Sequence, residues 1–83
     1  MSDIKYVVVD NGGLAGECII VFPAFMVHKD FERMGKIVSA GFVRRDDGAR
    51  GGFSTYGESS SLRLKSRPED DVLLSMLMRD RYE

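Results

Sequence analysis

The chain has 83 residues, enough for one domain with a single modest core and little room for a catalytic cleft. Its 12 Lys+Arg against 13 Asp+Glu leave a net charge of −1, which excludes bulk electrostatic attraction to nucleic acid and leaves open only a local basic patch. The single cysteine, Cys18, excludes an intrachain disulfide; lying in an apolar run, it reads as a small buried hydrophobe in a reducing compartment, so a cytoplasmic location is expected. The longest apolar run, Cys18 to Val27, is interrupted by Pro23 and is too short to span a bilayer, and the N-terminus lacks the basic-then-apolar pattern of a signal peptide.

Ile4 to Val9 is rich in β-branched residues and is followed by Asn11-Gly12-Gly13, a turn signal, so it reads as a first strand. Glu17 to Phe22 reads as a second, apolar at nearly every position, which predicts a strand covered on both faces or at the sheet centre. The glycines between them resemble a phosphate loop only superficially, because the Lys-Ser/Thr pair and a following helix are missing. From Ala24 to Met34 the apolar spacing turns helical, with Gly35 as the stop and His28 near the N-cap. His28 is the one histidine in the chain and has no acid placed as its partner, so a structural role is expected.

Lys36 to Arg45 reads as the third strand and Asp46-Asp47-Gly48 as its turn. Arg50 to Tyr56 and Ser59 to Lys65 follow as two further strands, joined at Gly57-Glu58 by a two-residue hairpin turn. With a four-residue loop at Asp46 to Ala49, Arg45 falls beside Arg50 and Phe42 beside Phe53, and Phe42, Phe53 and Leu62 form an apolar row beneath the helices. The opposite face then gathers Arg45, Arg50, Arg63 and Lys65 around Tyr56 and the serines.

The last element is the best signalled. Ser66 and Glu69 have the spacing of a capping box, Pro68 suits the first turn, and Glu69, Asp70 and Asp71 oppose the positive end of the helix dipole. Val72, Leu73, Met76 and Leu77 form an apolar stripe, which Leu74 and Met78 widen beyond what one sheet contact needs. The expected fold is therefore α+β: one domain, a mostly antiparallel sheet of about five strands in ββαβββα order, with the C-terminal helix packed on one face.

Ile37-Val38-Ser39-Ala40-Gly41-Phe42, Gly57, Ser59, Ser61-Leu62 and Ser66-Arg67-Pro68-Glu69-Asp70 together resemble a group of small uncharacterised proteins of tailed bacteriophages and prophages of Gram-negative bacteria. The resemblance covers most of the chain from about Tyr6 onward, through turns, caps and strands rather than chemistry. It implies a phage accessory protein acting inside the bacterial host, and it carries no functional residue across.

No catalytic, cofactor or metal signature stands out, and no small-molecule substrate is evident, so a non-enzymatic function is expected. The leading expectation is a protein-binding module, homo-oligomeric or with a protein partner, that uses Leu74 and Met78 on the wide helix face or an exposed sheet edge. Met26, Met34, Met76 and Met78 can supply adaptable contact surface or ordinary core filling. The alternative is polyanion binding, nucleic acid above all, through Arg45, Arg50, Arg63, Lys65 and Tyr56 on an open sheet face, with cations on phosphates and the ring as a stacking surface. No membrane contact is expected.

Overall fold

A computed structural model of the chain describes residues 4–10, 12 and 16–82. Strands β1 (Ile4–Asp10), β2 (Glu17–Pro23), β3 (Lys36–Arg45) and β4 (Phe53–Tyr56) form an antiparallel sheet in the order β2-β1-β3-β4. A small hairpin of β5 (Glu58–Ser59) and β6 (Leu64–Lys65) follows, and helix α1 (Pro68–Tyr82) closes the chain. The α+β class, the antiparallel sheet and the C-terminal helix are as the sequence predicts; the sheet has four strands, with a separate two-stranded hairpin, in place of about five.

β1 lies at the centre because Val7, Val8 and Val9 suit a strand covered on both faces, and all three are buried. Alternation divides its side chains between two cores. Tyr6 and Val8 meet Val43 and Leu74 beneath α1, while Val7 and Val9 meet Phe22 and Ala40 on the other face. That second face is covered by Met26, Phe31, Leu62 and Leu64, which come from the segment after β2 and from the hairpin. The molecule thus has three layers, and the open sheet face expected of it is closed.

Four local readings are corrected. First, the predicted helix Ala24–Met34 is a turn at Pro23, where Met26 N–H donates to the Pro23 carbonyl (3.1 Å), followed by a 3₁₀ helix from His28 to Met34. Second, Arg50–Gly52 is not strand. Gly51 and Gly52 lie at φ of 76° and 81°, values a glycine adopts without the Cβ clash that other residues meet, so the chain turns there. Asp46 N–H closes the loop on the Gly52 carbonyl (2.8 Å), and Arg45 faces Phe53 rather than Arg50. A shift of three residues is odd, so it moves every β4 side chain to the other face. Phe42 now faces Tyr56, on the side opposite Phe53.

Third, Ser59 to Lys65 does not pair with β4. It folds on itself, Ser59 facing Leu64 and Glu58 facing Lys65, with Arg63 at φ 56° in the turn. Fourth, β2 is an edge strand and Cys18 on it is exposed. Its apolar run reports two covered faces, and says nothing of a missing neighbour in the ladder. The Asn11-Gly12-Gly13 turn lies largely outside the described residues; Gly12 N–H donates to Asp10 Oδ1 (2.9 Å).

Helix α1 begins as Pro68 at its first position suggests, but its cap sits one residue later than Ser66-Glu69. Arg67 N–H donates to Asp70 Oδ2 (3.0 Å) and Asp70 N–H to the Arg67 carbonyl (3.0 Å). Ser66 N–H instead donates to the Gly57 carbonyl (2.9 Å), tying the hairpin to the helix entry.

Candidate functional site

The helix is rotated by one carboxylate. Asp70 is fully buried, accepting from the Tyr6 hydroxyl (2.6 Å) and from Arg67 Nε and Nη2 (3.0 and 2.9 Å). Arg67 also donates from Nη2 to Glu17 Oε1 (2.8 Å), so one guanidinium joins α1 to β2. Glu17 and Asp70 hold Arg67 above the usual arginine range, against burial, and desolvation together with Asp70 pushes the Tyr6 phenol up. With Asp70 turned inward, Leu74 and Met78 follow it at intervals of four on the same face. Leu74 is fully buried and Met78 packs against the core. Leu74 therefore does not reach the surface; among the described side chains of α1, Val72 and Met76 are the exposed large apolar ones.

Of the five residues of the polyanion reading, the four with described side chains do not form one basic face. Arg45 is exposed near Asp47 (3.5 Å), Arg63 and Lys65 are exposed on the separate hairpin, and Tyr56 lies on β4 against Phe42, ring centroids 5.6 Å apart. Arg50 opens the 3₁₀ turn, and its side chain lies outside the described ones. The cation over Tyr56 is Arg44, 5.5 Å from the ring centroid. A basic face built on the four-residue loop does not form, because the longer loop reverses the faces of β4 and the hairpin leaves the sheet.

Two of the clefts are lined by described residues. One, of about 340 Å³, is lined by Lys5, His28, Lys29, Phe42, Glu58 and Ser59–Ser61. Some of its polar groups are engaged: Lys5 Nζ donates to the Met26 carbonyl (3.1 Å), and the Ser59 and Ser61 hydroxyls share a bond (3.2 Å). His28 is buried, and since a carbonyl only accepts, its Nε2 donates to Gly41 (2.8 Å). The second cleft, of about 310 Å³, contains Asp46 and Asp71, and Asp71 is engaged by Thr55. Among the described residues no three His, Cys, Asp or Glu side chains gather as a metal site, and no helix is long and apolar enough to cross a membrane.

The sheet edges are more informative than the clefts. Thr55 N–H donates to Asp71 Oδ1 (2.6 Å), so on β4 it points away from β3, and Val43–Thr55 is a non-hydrogen-bonded pair. Alternation then carries the pattern across the sheet. Gly41 and Val43 direct their N–H and C=O groups to β1, Ile4 and Tyr6 to β3, and Lys5 and Val7 to β2. On β2 it follows that Cys18, Ile20 and Phe22 bond inward, while Glu17, Ile19, Val21 and Pro23 point outward. Pro23 agrees: lacking an N–H, it fits a strand only where that position faces away from the ladder.

The two edges differ. β4 is four residues long and its outward Thr55 N–H is occupied by Asp71. β2 is seven residues long, and no Lys or Arg occurs from Tyr6 to His28, so it lacks the cations that usually blunt an exposed edge. Among the described residues its outward backbone groups have one partner, the Met26 N–H on the Pro23 carbonyl. Just beyond it Phe25 is 85% exposed. No family model, no functionally described protein and no solved structure matches the chain.

Proposed function

We propose that the protein is a small non-enzymatic binding module of phage-accessory type, which engages a protein partner by strand pairing at the β2 edge. The observation that carries this is the asymmetry of the sheet: β4 is short and answered by Asp71, whereas β2 is long and apolar, and from Glu17 to Val21 its outward backbone groups have no partner among the described residues. Main-chain bonds from Glu17, Ile19 and Val21 supply affinity, and alternate side chains supply selectivity. Exposed Phe25 and Val27, at the Pro23 end of the strand, extend the apolar contact. Arg67 holds Glu17 at the other end. The phage context rests on the resemblance of the Ile37–Phe42 and Ser66–Asp70 segments.

The test is capture by tagged chain, from bacterial extract and from untagged chain, beside a Val21→Pro variant. That substitution removes an outward N–H and leaves the bonds to β1 in place. A partner held by the native chain, retained in high salt and lost with Val21→Pro while circular dichroism is unchanged, is the expected result. Capture unaffected by Val21→Pro, or abolished by salt as for a polyanion, contradicts the reading.

A further inference from the structure

We propose that the partner at the β2 edge is a second copy of this chain, its β2 running antiparallel to the first about a two-fold axis through Ile20. The two four-stranded sheets then become one. The proposal rests on the strand-pairing reading above and names its partner from the pattern of outward groups. A two-fold contact requires each strand to be its own complement, and an axis at Ile20 gives every position of Glu17–Pro23 an opposite number, with a full exchange of backbone bonds between Ile19 and Val21. Ile19 and Val21 both point outward, so Ile19 exchanges both backbone bonds with Val21 of the partner subunit. Glu17 N–H meets the carbonyl of the partner's Pro23, whose second lone pair is free beside the bond from Met26 N–H; Pro23 has no N–H to return, so the Glu17 carbonyl gains no bond there.

Side chains agree with the same axis. On one face Ile19 meets the partner's Val21, and on the other Ile20 meets the partner's Ile20, with Cys18 beside the partner's Phe22. Glu17 is the only charged residue on the strand and is already paired with Arg67, so no like charges are opposed across the axis. An axis at Ile19 or Val21 shortens the paired length, and one at Cys18 leaves Val21 without a strand partner.

The axial pair Ile20–Ile20 is of the non-hydrogen-bonded kind, which brings Cα atoms to roughly 4.5 Å, within the reach of a disulfide. The experiment is light scattering of the native chain across a hundredfold range of concentration at low and high salt, with oxidation of a Cys18→Ser/Ile20→Cys variant. A dimer independent of salt, its dissociation by Val21→Pro, and a covalent dimer through position 20 are expected. A native monomer throughout, a dimer indifferent to Val21→Pro, or a native disulfide through Cys18 overturns the proposal. Should Ile20→Cys fail to fold, light scattering of the native chain and of Val21→Pro decides alone. If the native chain stays monomeric while a different partner is captured in a Val21→Pro-sensitive way, the edge reading stands and self-pairing falls.

Discussion

Asp70 sits between Tyr6 and Arg67 with no exposure to solvent, and its burial is tolerable because every bond it accepts comes from a strong donor. Tyr6→Phe leaves that carboxylate short of one donor and should cost about 1.5–3 kcal/mol in urea unfolding at neutral pH. The phenol is pushed up by burial and by Asp70, so the unfolded chain releases this proton first. Stability from Tyr6 is then complete below about pH 10 and falls as pH rises past it, and Tyr6→Phe should flatten that alkaline fall. An equally steep decline in the variant would assign it to other groups. Ser39 presents the opposite case: its hydroxyl is buried without a partner among the described residues, so Ser39→Ala should stabilise by about 1 kcal/mol rather than destabilise. Arg63 holds a left-handed conformation at φ 56°, so Arg63→Gly should leave the thermal midpoint unchanged or raise it, while Arg63→Val should lower it by about 1–2 kcal/mol in equivalent stability.

At the scale of elements, β1 and β3 and the start of α1 were legible because β-branched runs, the Asp-Asp-Gly turn and Pro68 at a helix start are local signals. What was not legible depended on partners distant in sequence. The rotation of α1 follows from Asp70 meeting Tyr6, 64 residues away, and nothing in the 68–78 stretch distinguishes Asp70 from its acidic neighbours. The β4 register follows from whether the loop ends before or after Gly51-Gly52, and glycines suit a turn and a bulged strand alike. Gly51 also lies where a Cβ would come 3.2 Å from Met78 Cβ, so Gly51→Ala combines a strained φ with a tight contact. It should cost about 1–2 kcal/mol by denaturant midpoint; an unchanged midpoint would mean that the 46–52 loop does not hold the helix. Gly41→Ala is more severe, since its Cβ would fall 2.6 Å from the Tyr56 carbonyl oxygen, which belongs to the ladder and has no freedom to withdraw.

For the whole molecule, the three layers leave few ways to recruit a partner. Both faces of the sheet are covered, the candidate cations with described side chains are divided between β3 and the separate hairpin, and some polar groups of the clefts are bonded internally. The edges remain, and among the described residues the β4 edge is answered by Asp71 while the β2 edge from Glu17 to Val21 is not. An apolar run such as Glu17–Phe22 shows in sequence that both faces of a strand are covered; that it also ends the sheet becomes visible only when β1 is found between β2 and β3. Amide hydrogen exchange along β2 tests this most directly. In dilute solution Cys18, Ile20 and Phe22 should be protected and Glu17, Ile19 and Val21 should exchange fast, with the latter three slowing as concentration rises. Equal protection of all six amides at high dilution, or fast exchange of the outward three that no concentration alters, would contradict the account.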